Sequence, residues 1–275
     1  MSFDVSHSEI QDAVRRALAE DIGSGDITTN LCVPADAKAT GRMIAREPLT
    51  LAGVELLPLI FSGSIVNLTR HSGDCLESGD EIALVQGPAR TLLTGERTAL
   101  NFVQRLSGIA TLAAAYVRAV EGTGCRILDT RKTTPGLRRL EKMAAAVGGV
   151  VNYRIGLFDA VLIKNNHITA AGGVRAALER TRNSGVPVEI EVRTRAELDD
   201  ALANGATHLL LDNLSPDAAR EWIAYIGKRA TVELSGGIKL QTARAYAETG
   251  ADFISVGAIT HSAGAVDINF RLELR

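Results

Sequence analysis

The sequence predicts an α/β protein in which a mixed N-terminal unit is followed by a parallel α/β barrel. After residue 125, six short apolar runs alternate with helical segments, and the last four runs begin at residues 188, 208, 231 and 253. Strands separated by helices pair in parallel, and a regular repeat suits a barrel better than an open doubly wound sheet. No GxGxxG motif follows the first run, which argues against a dinucleotide-binding fold.

Composition narrows the classes of function. The chain has 275 residues, 46% of them hydrophobic, and a net charge of −2. A globular protein with a sizeable core is expected, without the basic field of a nucleic-acid binder. Cys32, Cys75 and Cys125 are widely spaced and odd in number, which predicts free thiols and a cytoplasmic location. The first residues lack a signal-peptide pattern and no run approaches the length of a membrane span, so no membrane partner is expected.

The first third of the chain predicts a small α/β unit. Residues 8–20 have the apolar spacing of an amphipathic helix, with Ser8 as its N-cap. Residues 38–91 alternate short apolar runs with turns, which predicts strands. Residues 94–120 predict a second helix, which we expect Gly108 to interrupt.

Polar residues stand at the end of each apolar run after residue 125. They are Asp129, Thr130, Arg131 and Lys132; Lys164 to His167; Glu189 and Glu191; Asp212 and Asn213; Ser235 to Gly237; and Gly257. The carboxyl ends of the strands of a parallel barrel meet on one rim, where active sites are built. Six polar strand ends on one rim favour an active site over a merely solvated surface.

Each group of strand-end residues predicts a different role. Small residues at Ser235–Gly237 and Val256–Ala258 let backbone N–H groups approach a phosphate. Glu191 and Asp212 are hard oxygen ligands that suit magnesium shared with a phosphorylated substrate. Zinc is disfavoured because no His or Cys cluster accompanies them. Glu189 shares a face with Glu191, and we favour Glu191 because it lies nearer the rim.

Cations are the third component. Lys132, Arg154 and Lys164, with Arg131 adjacent, predict a pocket for the anions of a second substrate or a pyrophosphate. The residues alone leave one alternative open. Lys132 or Lys164 could form a Schiff base, as in an aldolase, because a cation-rich pocket can depress the pKa of a lysine.

Long, ordered motifs resemble the quinolinate phosphoribosyltransferase family almost from end to end. The motifs are DIGSGDITT, GERTALNFVQRLSGIAT, DTRKTTPGLRRLEKMA, GGVVNYRIGLFDAVLIKNNHI, VEIEV, LLLDN, ELSGGI and ISVGAITHSA. The resemblance implies an N-terminal α/β sandwich at residues 1–108, with the tail 263–275 packing back on it. Residues 109–262 would form an incomplete, seven-stranded α/β barrel.

The same resemblance implies a reaction and an assembly. Quinolinate and phosphoribosyl pyrophosphate would give nicotinate mononucleotide, pyrophosphate and carbon dioxide, with magnesium as cofactor, in the de novo synthesis of NAD. The ring nitrogen would attack the anomeric carbon through an oxocarbenium-like state. The family works as a homodimer, sometimes as a hexamer of dimers, in which Arg97 would reach the neighbouring subunit's site.

The resemblance also assigns roles to residues. Arg97, Arg131, Arg154 and Lys164 are expected to contact the quinolinate carboxylates, and Lys132 lies at the phosphoribosyl centre. Glu191 and Asp212 are expected to handle the ribose hydroxyls and magnesium, which makes Lys132, Glu191 and Asp212 the catalytic set. The residues expected to hold the rest of the substrate are Thr130, Ser235, Gly236, Gly237, Val256, Gly257, Ala258 and His261.

One residue departs from the family pattern in the acid pocket. Tyr153 stands where the family usually has a histidine that contacts quinolinate. Tyrosine keeps a donor but loses the possible positive charge. Our hypothesis is that activity survives with weaker quinolinate binding. Two alternatives follow: a related phosphoribosyltransferase with altered acid specificity, or a non-catalytic protein that binds phosphoribosyl ligands.

Overall fold

The computed structural model describes residues 3–274. The chain divides into two compact units. The first comprises Met1–Ala114, Thr133–Gly149 and Ile259–Arg275, and the second comprises Ala115–Lys132 and Val150–Ala258.

Helices and strands cover most of the described chain. The α-helices are α1 (Ser8–Ile22), α2 (Ile27–Cys32), α3 (Leu57–Ile60), α4 (Ala89–Ala119), α5 (Arg138–Val147), α6 (Asn165–Ala171), α7 (Val174–Thr181), α8 (Arg195–Ala203), α9 (Pro216–Ile226), α10 (Leu240–Ala247) and α11 (Ala258–His261), and a 3₁₀ turn spans Val54–Leu56. The strands are β1 (Lys38–Ala45), β2 (Leu49–Thr50), β3 (Ile65–Leu68), β4 (Cys75–Leu76), β5 (Glu81–Pro88), β6 (Arg126–Leu128), β7 (Val161–Ile163), β8 (Val188–Val192), β9 (His208–Asp212), β10 (Thr231–Ser235), β11 (Phe253–Ser255) and β12 (Ile268–Leu274).

The first unit is built on an antiparallel four-stranded sheet with the order β12-β1-β5-β3. The C-terminal strand β12 pairs with β1 along its whole length, from Ala45 opposite Ile268 to Ala39 opposite Leu274. Met43, whose side chain is fully buried, lies within the sheet core. The sequence therefore closes this sheet with its last strand.

Helix α4 corrects the expectation that Gly108 interrupts the helix. The helix runs unbroken through this position for 31 residues. A Cβ atom at Gly108 would lie 1.9 Å from the carbonyl oxygen of Gly264. Glycine is therefore required here for a close backbone approach, which a reading of helix propensity does not reveal.

The predicted N-cap of α1 is wrong by one residue. His7, not Ser8, has the extended backbone of a cap, and its Nδ1 accepts a hydrogen bond of 3.2 Å from the backbone N–H of Glu9. The helix itself forms as expected and buries Ile10, Ala13 and Val14. Assignments of helix ends from sequence are often uncertain by one residue.

The second unit contains a six-stranded parallel sheet with the order β6-β11-β10-β9-β8-β7. An isolated parallel bridge between Leu128 and Val151 adds a seventh extended segment beside β6. The predicted fold class, a mixed α/β protein with an N-terminal sheet unit and a parallel sheet, is confirmed. All six predicted apolar runs of this region form strands.

Alternation along the central strands separates an apolar from a polar face. Ile190, Leu209, Leu211 and Leu234 are at most 1% exposed and lie on one face. The other face carries His208 and Asp212 on β9, Glu189 and Glu191 on β8, Glu233 and Ser235 on β10, and Ser255 on β11. A parallel barrel is usually filled by branched apolar residues, so this polar interior marks the site of function.

Two further features bear on the compositional predictions. Within residues 3–274, no helix has both the length and the apolar character needed to cross a membrane. The cysteines are free thiols, with Cys32 and Cys75 exposed and Cys125 buried.

Candidate active site at the strand ends

A cavity of about 250 Å³ opens at the carboxyl ends of the parallel strands. Its lining includes residues on or directly after every strand of the six-stranded sheet, so the sheet curls around one space. Eight of the residues predicted from the sequence line this cavity: Thr130, Arg131, Lys132, Arg154, Lys164, Glu191, Asp212 and Ser235. Four of them are cations and two are carboxylates, which is the composition that a phosphorylated acid substrate requires.

Larger cavities lie in the first unit but carry weaker chemistry. One of about 600 Å³ is lined by Arg16, Glu20, Asp21 and Arg105 among mostly apolar and neutral residues. Arg105 is already neutralised, because its Nη2 lies 2.9 Å from the buried carboxylate of Glu141. The strand-end cavity therefore remains the candidate active site despite its smaller volume.

The segment after β6 is fixed by a buried carboxylate. Asp129 is 1% exposed and accepts hydrogen bonds from the Asn152 side chain at 2.6 Å and from the backbone N–H of Tyr153 at 2.9 Å. Thr130 Oγ1 accepts a bond of 3.1 Å from the backbone N–H of Lys132. Asp129 thus ties the segment that carries Arg131 and Lys132 to the segment that carries Tyr153 and Arg154.

Arg154 precedes a tight polar turn that determines its direction. Its Nη1 donates a bond of 3.3 Å to the carbonyl of Ala160. Asp159 closes the turn by accepting bonds from the backbone N–H groups of Ile155 at 2.7 Å and Gly156 at 3.0 Å. A guanidinium held in this way is presented to the cavity at little entropic cost.

Lys164 follows β7 and immediately precedes α6. Its backbone N–H donates a bond of 2.9 Å to His167 Nδ1, so His167 carries its own ring proton on Nε2 when neutral. No role for His167 was predicted from the sequence. Its signal was its position three residues after Lys164 at a helix start, which is typical of a capping side chain.

Glu191 and Asp212 lie on neighbouring strands and are both partly exposed. Burial and, after it, the charge of Asp212 raise the pKa of Glu191 above its usual range, while the charges of Lys164 and Arg193 oppose that shift. Asp212 accepts a bond of 2.6 Å from the amide of Asn213. The two acids therefore form a site of concentrated negative charge beside the cations.

The turns after β9 and β10 interlock. Asn213 has a φ of 58°, and its backbone N–H donates a bond of 2.9 Å to the carbonyl of Ser235. Gly236 has a φ of 102°, and a Cβ atom there would lie 2.3 Å from the side-chain oxygen of Asn213. Only glycine fits this position, so the turn bearing Ser235 is held against the turn bearing Asp212.

Seven residues predicted from the sequence do not line the strand-end cavity in the described part of the chain. Gly236, Gly237, Val256, Gly257 and Ala258 follow β10 and β11 without lining it, and Val256 is 2% exposed. Its backbone N–H donates a bond of 3.0 Å to the carbonyl of Leu128. Arg97 and His261 belong to the first unit, and both are exposed.

The donor set determines which metal the residues could hold. Residues 3–274 contain no cluster of three or more His, Cys, Asp or Glu side chains able to bind a metal ion by themselves. Glu191 and Asp212 supply only carboxylate oxygens. Magnesium keeps few protein ligands and takes the rest from water and substrate phosphates, so this pair fits magnesium delivered with a phosphorylated substrate.

A second acidic pair joins Glu189, which the sequence placed on the face of Glu191, to Glu233, for which no role was predicted. Glu189 and Glu233 are 5% and 4% exposed, on the same interior face as Glu191 and Ser235. Burial raises the pKa of Glu189, and burial together with the charge of Glu189 raises the pKa of Glu233 well above its usual range. Burial and the charge of Glu189 also raise the pKa of the Tyr153 hydroxyl. Alternation places Glu189 and Glu233 on the interior face, two residues before Glu191 and Ser235, but it does not reveal that the two acids interact.

Comparison with known proteins gives a consistent result. The family model described as "Quinolinate phosphoribosyl transferase, N-terminal domain" matches residues 26–107. The model described as "Quinolinate phosphoribosyl transferase, C-terminal domain" matches residues 109–271. Together they extend over most of the chain.

Individual relatives match over nearly their full length. "Nicotinate-nucleotide pyrophosphorylase [carboxylating]" of Mycobacterium leprae is 44% identical over 284 residues, covering 99% of this chain and 100% of that protein. "Probable nicotinate-nucleotide pyrophosphorylase [carboxylating]" of Bacillus subtilis is 38% identical and covers 98% and 96%. The crystal structure of NadC from Streptococcus pyogenes has a TM-score of 0.93 at 37% identity, with complete coverage of both chains.

Proposed function

Because this chain belongs to the quinolinate phosphoribosyltransferase family, we propose that it joins quinolinate to phosphoribosyl pyrophosphate with loss of carbon dioxide. The products are nicotinate mononucleotide, pyrophosphate and carbon dioxide, a step in the de novo synthesis of NAD. The chain is thus a decarboxylating pentosyltransferase. The observation that carries the proposal is the strand-end cavity, where Arg131, Lys132, Arg154 and Lys164 surround the carboxylates of Glu191 and Asp212.

The arrangement suits the transfer step. Both substrates are polyanions, and the four cations offset their charge and orient them. As the pyrophosphate leaves, positive charge develops on the anomeric carbon, and Glu191 and Asp212 provide the opposite charge. Lys132, held after the Thr130 turn, stabilises the developing negative charge of the leaving group. We assign the catalytic roles to Lys132, Glu191 and Asp212.

Magnesium is the proposed cofactor, with Glu191 and Asp212 as the residues that would hold it. When bound it would neutralise phosphate charge. The residues of the chain do the remaining work: the cations hold the anionic groups, and the interlocked turns at Asn213 and Gly236 hold the acidic pair in register. We also propose that the backbone of Ser235–Gly237 and Val256–Ala258, with His261, binds the 5-phosphate.

Decarboxylation follows from the charge of the transferred product. Once the ring nitrogen carries the ribose, it is positively charged and stabilises the electron pair that remains on the adjacent ring carbon as carbon dioxide leaves. No general base is needed for bond cleavage. Arg131, Arg154 and Lys164 hold the carboxylates, which fits a cavity rich in cations and without a lining histidine among the described residues.

We propose a homodimer in which the exposed Arg97 is supplied to the neighbouring subunit's cavity. Mixing two inactive variants tests this directly. In a heterodimer of Arg97→Ala and Lys132→Ala subunits, one site has both side chains intact, so random mixing restores roughly a quarter of the parental activity. Mixed variants that stay inactive despite exchanging subunits would overturn the proposal, and light scattering reports the assembly size.

The free thiols support a further proposal about location. Cys32 and Cys75 are exposed and unpaired with each other, and such thiols persist in a reducing compartment. We propose that the protein acts in the cytoplasm. Localisation of a fluorescent fusion, with activity recovered from the same fraction, tests this.

Turnover with phosphoribosyl pyrophosphate and magnesium, comparing quinolinate with nicotinate, tests the reaction. The proposal predicts carbon dioxide and nicotinate mononucleotide from quinolinate alone. Product from nicotinate would favour a related enzyme with altered acid specificity, for which Tyr153 is the specific observation. Tight ligand binding without turnover would favour a non-catalytic binder.

A further inference from the structure

Glu233 lies between two cavities in the interior of the second unit. It occupies the middle of β10 and lines the strand-end cavity together with Ser235. It also lines a second cavity of about 210 Å³. That cavity is bounded by His208, Thr231 and Phe253, which are the first residues of their strands. Glu233 thus connects the reaction cavity with the amino ends of the strands.

A carboxyl group at this depth needs an explanation. An apolar residue would fill the position at no electrostatic cost, whereas a buried ionised carboxylate is expensive. The neighbouring acid Glu189 makes ionisation of Glu233 still less favourable. Glu189 is buried as well, and its Oε2 has no hydrogen-bond partner within residues 3–274. Two contacting carboxyl groups in a dry site do not both ionise readily.

Of the two acids, only Glu233 lines the strand-end cavity. Burial raises the pKa of Glu189, and the Tyr153 hydroxyl and the charges of His208 and Arg154 oppose that shift. Burial and the charge of Glu189 raise the pKa of Glu233 well above its usual range. The protonated form of Glu233 is therefore favoured, with Glu189 and Ser255 as its polar neighbours.

The proposed reaction needs such an acid. When the 2-carboxylate leaves as carbon dioxide, the electron pair of the broken bond stays on ring carbon C2. That carbon must receive a proton to give nicotinate mononucleotide, and arginine side chains cannot provide one because they do not deprotonate.

We propose that Glu233 is the general acid that protonates C2 after decarboxylation. The carbon–carbon bond to the carboxylate breaks, carbon dioxide leaves, and the C2 electron pair takes the proton of Glu233, which becomes a carboxylate. A proton from solvent, entering through the second cavity past His208, restores the acid. The inference rests on the proposed function, since it assigns a residue to the second half of that reaction.

Several charged or titratable groups face Glu233 and enter its pH dependence. Those that line the two cavities with it are Asp129, Arg131 and Lys132 after β6, Tyr153 and Arg154 on the following segment, Lys164 after β7, Glu189 and Glu191 on β8, and His208 and Asp212 on β9. β11 contributes Phe253 and Ser255, which do not titrate in this range. The acid form of Glu233 is required, so the rate of C2 protonation falls as the pH rises through its pKa.

The test separates the two halves of the reaction in a single turnover. Quinolinate, phosphoribosyl pyrophosphate and magnesium are mixed with excess enzyme, and pyrophosphate, carbon dioxide and mononucleotides are followed separately. Glu233→Gln keeps the size and hydrogen bonding of the side chain but has no proton to give. We expect pyrophosphate release within about twofold of the parent, whereas nicotinate mononucleotide forms about 10²-fold more slowly and quinolinate mononucleotide accumulates.

Two further variants separate the loss of an acidic proton from a general effect of mutation. Glu233→Asp restores an acid and is expected to recover part of the second step, together with its decline at high pH, which Glu233→Gln lacks. Glu221→Gln, an exposed change on α9, is the control and leaves both steps unchanged. Equal slowing of both steps by Glu233→Gln, or no effect on either, would overturn the inference. A parent that releases no pyrophosphate from quinolinate would instead overturn the proposed function.

Discussion

Two pairs of carboxylates lie on the interior face of the parallel strands, Glu191 with Asp212 as the outer pair and Glu189 with Glu233 as the inner pair, and they differ in burial and in their charged neighbours. Glu191 and Asp212 at the rim are partly exposed and face cations. Glu189 and Glu233 are buried and interact with each other. The comparison shows that burial, rather than residue type, determines whether an acid is favoured in its charged or in its protonated form.

The largest effect is expected at the outer pair. Glu191→Gln and Asp212→Asn each remove a negative charge from the place where positive charge develops, so kcat falls about 10²- to 10³-fold while the fold persists. Steady-state turnover of quinolinate measures the loss, with Glu221→Gln as the matched surface change. Wild-type kcat in both variants would mean that the outer pair takes no part in the transfer.

A smaller effect is expected from the turn that holds the outer pair. In Gly236→Ala, the new methyl group would meet the Asn213 side chain and the residue would keep a strained φ. Displacing this turn shifts Ser235 and Asp212, so kcat/KM for phosphoribosyl pyrophosphate falls about 10- to 10²-fold. Gly172→Ala is the control, because Gly172 also has a positive φ but a Cβ atom there meets nothing. Equal loss in both variants would assign the effect to backbone strain alone.

Tyr153 lines both the strand-end cavity and the second cavity, so its replacement affects both pairs of acids. Tyr153→His restores the residue usual in the family and places a possible positive charge between Glu189 and the cavity. We expect KM for quinolinate to fall roughly tenfold, because a charged donor binds a carboxylate more strongly than a hydroxyl does. A KM above that of the parent would contradict this hypothesis, and Tyr153→Phe shows what the hydroxyl alone contributes.

The smallest effect concerns stability at the inner pair. Because the folded-state pKa of Glu233 lies above its ordinary value, the folded state binds this proton more tightly than the unfolded chain does. The resulting stabilisation is complete below the ordinary pKa and is lost as the pH rises through the raised pKa. Urea unfolding at a series of pH values should show a free energy of unfolding that falls with pH in the parent and falls less in Glu233→Gln. Parallel pH profiles would mean that Glu233 is ionised throughout.

The outer pair and the cations beside it were predictable because these residues lie at strand ends, and strand ends can be recognised in a sequence. The apolar runs, the helices between them and the cluster of Lys132, Lys164, Glu191 and Asp212 follow from periodicity and from the rule that strand ends meet on one rim. The family resemblance supplied what spacing alone did not, including the roles of Arg97 and His261, which remain predictions.

The raised pKa values of the inner pair were not predictable, because they arise from packing between segments that are distant in the chain. The pKa of Glu233 is raised by its burial and by the charge of Glu189, which is 44 residues earlier in the chain. Asp129 holds the backbone of Tyr153 across 24 residues. Gly108 failed as a helix breaker for the same reason, since its role is set by Gly264 on a separate segment.

The protonation states of Glu233 and Glu191 distinguish the inner pair of acids from the outer pair, and carbon NMR measures these states directly. Glutamate labelled at the carboxyl carbon gives one resonance per side chain, and Glu191→Gln and Glu233→Gln assign the two that matter. We expect that near neutral pH Glu233 shows the chemical shift of a protonated carboxyl group while Glu191 shows that of a carboxylate. An ionised Glu233 at neutral pH would contradict this expectation, because the buried pair would then hold no proton for the reaction.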